Sequence, residues 1–143
     1  MSSEENKAII RRFLERVSRG DVGAVDDFVT DGVVYHDAPP GLASGIEGYR
    51  QMIGMFLTAF PDLNLTSEDL VGEGDKVVAR LRGRGTHRGD FMGIPPTGKS
   101  VDVGAISVMR FENGRIAEEW EQIDMLSMMQ QLGVVPAPEA TPA

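Results

Sequence analysis

Ile9, Ile10, Phe13, Leu14 and Val17 recur at helical spacing between Glu4 and Arg19, and Gly20 is placed to end that helix. Ser2 and Glu5 precede it at capping-box spacing. The pattern then predicts a shorter helix over Asp21 to Val29, with Val25, Phe28 and Val29 inward. A turn at Thr30-Asp31-Gly32 and a short strand from Val33 to Asp37 follow. The prolines and glycines between Ala38 and Gly45 break any regular ladder. Ile46 to Phe60 reads as a third helix with Tyr49, Met52, Ile53, Phe56, Leu57 and Phe60 on its apolar stripe, and Pro61 stops it.

Beyond that helix the period changes to two. Leu63 to Val71 and Lys76 to Gly85 flank the turn cluster Gly72-Glu73-Gly74-Asp75. Val101 to Phe111 and Arg115 to Ile123 flank Glu112-Asn113-Gly114, whose Asn-Gly pair is a strong hairpin signal. On the Lys76 strand, Val77, Ala79, Leu81 and Gly83 share one face and Arg80, Arg82 and Arg84 the other. The arginines are expected opposite Glu119 and Glu121 as a solvated charge ladder. Met125 to Leu132, followed by Gly133, reads as a short final helix. Helices first and antiparallel strands afterwards specify an α+β domain over residues 1–133, with the helices on one face of a curled sheet that encloses a pocket. Residues 134–143 form a Pro/Ala-rich tail expected to be disordered.

Composition narrows the function classes. At 143 residues, with 41% hydrophobic and 25% charged, the chain has the balance of one soluble globular domain. No apolar run spans a bilayer and the first residues are acidic, so a cytoplasmic location is expected, without membrane contact. The absence of cysteine excludes disulfides, thiolate metal sites and a cysteine nucleophile. A net charge of −8 makes nucleic acid an improbable partner.

Candidate chemistry gathers at the end of the last strand. Strict alternation puts Ile116, Glu118, Trp120, Gln122 and Asp124 on one face, with Ala117, Glu119, Glu121 and Ile123 on the other. Beside the indole and facing an apolar interior, Asp124 would have a raised pKa suited to a general base. The competing reading is that Asp124 only caps the helix after it. Met52, Met55, Met92, Met109, Met125, Met128 and Met129 lie in or near predicted apolar surfaces, where thioethers either fill core or line a pocket for a flat ligand.

The run Gly85 to Lys99 with its Gly-Ile-Pro-Pro-Thr-Gly loop, Phe111-Glu112-Asn113-Gly114-Arg115-Ile116, Trp120 to Asp124 and Gln131-Leu132-Gly133 together resemble the SnoaL-like polyketide cyclase family. The resemblance extends from about Glu5 to Gly133 and implies the cone-shaped fold of nuclear transport factor 2 and ketosteroid isomerase, with helices on the concave face of the sheet. It further implies intramolecular aldol ring closure of a hydrophobic carbonyl compound, without metal or cofactor, with Asp124 as the base. Relatives place Gln and His where this chain has Ala105 and Ser107. The fold also hosts isomerases, epoxide hydrolases, dehydratases and plain binding modules.

In that frame His87, which continues the parity of Val77 and Leu81, is expected either to donate to an enolate oxygen or to order the Gly-rich stretch after it. His36, on the face of Val34, is expected to reach the same cavity, with Tyr35 and Asp37 turned to the other side of the strand. Trp120, Tyr35, Met52, Phe56, Phe91, Met92, Ser107 and Met109 are the expected substrate contacts. A metal set from His36, His87 and Asp90 or Asp124 lacks ligand spacing, so none is expected. A homodimer through the outer sheet face, or a higher homo-oligomer, completes the expectations.

Overall fold

The capping box forms as the sequence predicts. The Glu5 backbone N–H donates to the Ser2 hydroxyl at 3.1 Å, and the Ser2 N–H donates to the Glu5 carboxylate at 3.3 Å. Helix α1 then runs Ser3–Ser18 and buries Ile9, Ile10, Phe13, Leu14 and Val17. The computed structural model describes residues 2–136; the tail beyond Pro136, expected to be disordered, lies outside the described residues. After α1 come α2 (Ala24–Phe28), β1 (Val29–Tyr35), α3 (Gly45–Ala59), β2 (Asn64–Glu73), β3 (Lys76–Thr86), β4 (Ser100–Glu112), β5 (Arg115–Ile123) and α4 (Met125–Leu132).

Two local expectations change. The second helix is confined to α2, and β1 begins at Val29, where helix and turn were expected. Val29 pairs with Ile116 on β5, and the register shifts before Val34, so tertiary pairing overrides the turn propensity of Thr30-Asp31-Gly32.

The five strands form one sheet in the order β1-β5-β4-β3-β2, antiparallel except for the parallel β1–β5 pair. This order corrects the charge ladder, because β4 lies between β3 and β5. Arg80 instead reaches Glu68 on β2 at 2.9 Å, and Arg82 and Arg84 reach Asp102 on β4 at 2.6 and 3.3 Å. All of these pairs stand on the exposed face of the sheet.

The inner face carries the core. Val77, Ala79 and Leu81 of β3 and Val101, Val103, Met109 and Phe111 of β4 are buried against the helices. Helix α3 is held close to the loop before it: a Cβ on Gly48 would stand 1.8 Å from the Ala43 carbonyl oxygen. Gly48→Ala must push apart the loop and the helix that carries Tyr49 and Met52. We expect it to cost about 3 kcal/mol, the upper end for overpacking, in chemical denaturation.

One β-bulge decides which side chains enter the interior. Phe111 pairs with Ile116, but Arg110 pairs with Glu118, leaving Ala117 as an extra residue on β5. Ile116 therefore faces inward before the bulge, and Glu119, Glu121 and Ile123 face inward after it. A one-residue slip moves every later side chain to the opposite face. Trp120 and Asp124, expected inside, are outside for this reason.

Candidate active site

Glu119 projects from β5 into the space between sheet and helices, where it is only 4% exposed. Its neighbour across the sheet is Met109, and the diagonal neighbour Ser107 donates its hydroxyl to Glu119 Oε2 at 2.7 Å. From the opposite wall Tyr49 on α3 donates its phenol to Glu119 Oε1, also at 2.7 Å. Two positions on, Glu121 shares the same face and accepts from the Tyr35 hydroxyl at 2.5 Å. The Glu121 backbone N–H donates to Asp37 Oδ2 at 2.7 Å, and Gln122 Nε2 donates to Asp37 Oδ1 at 3.2 Å, which tie the loop after β1 to β5. Tyr35 and Tyr49 meet edge to face with centroids 5.8 Å apart.

Burial, and next the charge of Glu121, push the Glu119 carboxyl up to about 8, although the Tyr49 and Ser107 hydrogen bonds pull it the other way. Glu121 is also raised by burial and by Asp37, against the pull of the Tyr35 hydrogen bond. Deep and enclosed, Glu119 favours its protonated form at neutral pH, and the two carboxyls titrate together as a pair.

Glu119 and Glu121 both line an inner cavity of about 120 Å³ whose other walls are almost entirely apolar, among them Met52, Phe56, Leu81 and Met109. Glu121 also lines an adjoining cleft of about 350 Å³, together with Tyr35, Asp37, Phe56, Phe91 and Met92. Glu121 therefore stands where cleft and cavity meet. Phe91 is buried against Phe56 and Phe60, with ring centroids 5.5 and 5.6 Å apart. Met92, at the lip, is half exposed and has a φ of 50°, a left-handed conformation stabilised where the Gly93 N–H donates to Asp90 at 3.1 Å.

The residues singled out from the sequence divide accordingly. Met52, Phe56 and Met109 line the inner cavity, Tyr35, Phe91 and Met92 line the cleft, and Ser107 holds Glu119. Trp120 instead stacks on His36 on the outer face, with centroids 4.7 Å apart, and His36 Nε2 lies 2.6 Å from Glu118. His36 does share the face of Val34, but that face is the outer one, so Tyr35 and Asp37 are the residues that turn to the site. Asp124 is exposed and accepts from the Ser127 N–H at 3.1 Å, the geometry of an N-cap.

His87, just past the end of β3, is fully buried, as its parity with Val77 and Leu81 predicts, but it does not line the cavity. The Thr97 N–H donates to its Nδ1 at 3.1 Å and its ring packs on Phe60, so it orders the loop instead of lining the cavity. Among the described residues no three His, Asp or Glu side chains converge as a metal ligand set. Likewise no helix among them is long and apolar enough to cross a membrane.

Glu119, Glu121, Tyr49 and Asp37 escaped the sequence reading. The missed signal was pairing chemistry: strict alternation sets Arg110 opposite Ala117, whereas the bulge sets it against Glu118, 2.9 Å away, and Val108 against Trp120.

Comparison with known proteins agrees with this architecture. The SnoaL-like polyketide cyclase family matches residues 8–132. Aklanonic acid methyl ester cyclase of Streptomyces peucetius is 28% identical over 138 residues, covering 92% of this chain and 93% of that protein. Nogalonic acid methyl ester cyclase of Streptomyces nogalater is 26% identical over 108 residues, 75% of this chain and 78% of its own length. Among solved structures, TsrD from Streptomyces laurentii superposes with a TM-score of 0.86 at 32% identity, covering 94% of this chain and 99% of that one.

Proposed function

Because the chain belongs to the SnoaL-like polyketide cyclase family, we propose that it closes a ring in a neutral, hydrophobic carbonyl compound by intramolecular aldol addition, with Glu121 as the general base. The observation that supports this reading is the position of Glu121: a half-buried carboxylate at the junction of cleft and apolar cavity, with Tyr35 fixing one oxygen. Burial raises its basicity. It removes a proton from carbon next to a ketone or ester, the enolate attacks a second carbonyl of the same folded molecule, and the conjugate acid returns the proton to the new alkoxide. The apolar walls hold both reacting ends together, an effect that can supply about 7–11 kcal/mol. Glu121 alone carries both proton transfers of this route, without a cofactor.

The test uses the two esters on which the named relatives act. Incubated in heavy water with aklanonic acid methyl ester or nogalonic acid methyl ester, the protein is expected to catalyse deuterium exchange at the acidic carbon and to form a cyclised product. If neither ester shows enzyme-dependent exchange or cyclisation, the reading is wrong.

A homodimer through the outer sheet face remains our proposal for assembly. Val71, Val78, Val108 and Trp120 form a cross-strand row there, and Ile106 beside it is 54% exposed. Arg80 with Glu68 and Arg110 with Glu118 border the row in both signs, which suits a twofold contact. Light scattering should give a dimer for the wild type and a monomer for Ile106→Arg; a monomeric wild type at micromolar concentration contradicts it.

A further inference from the structure

Ring closure by the route above uses one carboxylate, since the proton taken from carbon is the proton returned to oxygen. Glu119 is left over. A second carboxyl buried beside the first raises the energy of the folded state, and an apolar side chain would fill the same place at lower cost. Yet Glu119 lines the inner cavity and is held by Tyr49 and Ser107.

On the premise that the aldol reading holds, we propose that the same site goes on to eliminate water from the β-hydroxy ketone it forms, Glu121 removing the remaining α-hydrogen and Glu119 protonating the departing hydroxyl. The α C–H and β C–O bonds break, a carbon–carbon double bond forms, and the products are a conjugated enone and water. The α-proton ends on Glu121 and the proton of Glu119 leaves in the water; transfer of a proton from Glu121 to Glu119 restores the pair. No oxidant or reductant enters.

The spacing fits this step. Residues two apart on a strand are about 6.6 Å apart along it. Side chains rooted at that spacing on one face can reach the α-hydrogen and the β-oxygen of one molecule together when each makes a contact of roughly 2.6–3.2 Å. Both groups face the same cavity, so the two transfers need no movement of the substrate.

The probe is the β-hydroxy ketone formed from benzaldehyde and acetone, in heavy water near neutral pH, with benzalacetone followed by absorbance and α-deuteration by NMR. The wild type should catalyse both. Glu119→Gln should lower elimination relative to exchange by roughly tenfold or more. Ser107→Ala, which strips one hydroxyl from Glu119, should shift the ratio in the same direction and serves if Glu119→Gln does not fold. Exchange without benzalacetone, or a ratio unchanged in the variants, overturns elimination and leaves the base assignment standing. The absence of both reactions overturns elimination and counts against the base as well.

Discussion

Glu121→Gln is expected to lower turnover by roughly 10²–10⁴-fold while the protein melts at or above the wild-type temperature. Gln keeps the size of the side chain and still accepts from the Tyr35 hydroxyl, but it cannot take a proton from carbon. Its neutrality also removes the repulsion between the Glu121 charge and Asp37. The control is Asp124. Asp124→Asn preserves the N-cap to Ser127 and should leave both turnover and melting unchanged, whereas Asp124→Ala should cost about 1 kcal/mol of stability. Rate assays and thermal melts on the three variants separate the two carboxylates. Full activity in Glu121→Gln, or loss of turnover without loss of stability in Asp124→Asn, would return the chemistry to Asp124.

Stability should fall as pH rises from about 4.5 to 8, and Glu119 is the reason. Its folded-state pKa, about 8, is raised above the ordinary value of 4.5 because burial and the Glu121 charge disfavour the anion. Below pH 4.5 the carboxyl is protonated in both folded and unfolded chains, and its contribution is fully present. Between 4.5 and 8 the unfolded chain releases the proton while the folded chain keeps it, so unfolding becomes progressively easier. Above 8 both states are ionised and the loss levels off. The linked change is of the order of a few kcal/mol. Chemical denaturation across this window should show the decline in the wild type and a flatter profile in Glu119→Gln, which should be the more stable of the two at pH 8. A wild-type stability that rose over the same range would place the proton elsewhere.

The active-site proposal depends on one backbone irregularity that no side chain announces. Ala117 is small, apolar and compatible with either face, so alternation along β5 carries straight through it and puts Trp120 and Asp124 inside. Likewise, nothing local says that β3 stops at Thr86 and that the inward-facing His87 is taken up by Thr97 and Phe60 instead of the cavity.

From the sequence alone came the features that depend on near neighbours: the Ser2–Glu5 capping box, the apolar stripes of α1 and α3, the Asn113-Gly114 hairpin, the α+β class and the family resemblance. These follow from side-chain chemistry and short-range periodicity, which are written residue by residue. Tertiary structure alone decided that β4 separates β3 from β5, that the bulge turns Glu119 and Glu121 inward, and that Tyr49 and Asp37 arrive from other elements to meet them. Strand order and register are set by the best burial of whole faces, so they belong to pairs of strands rather than to any one of them.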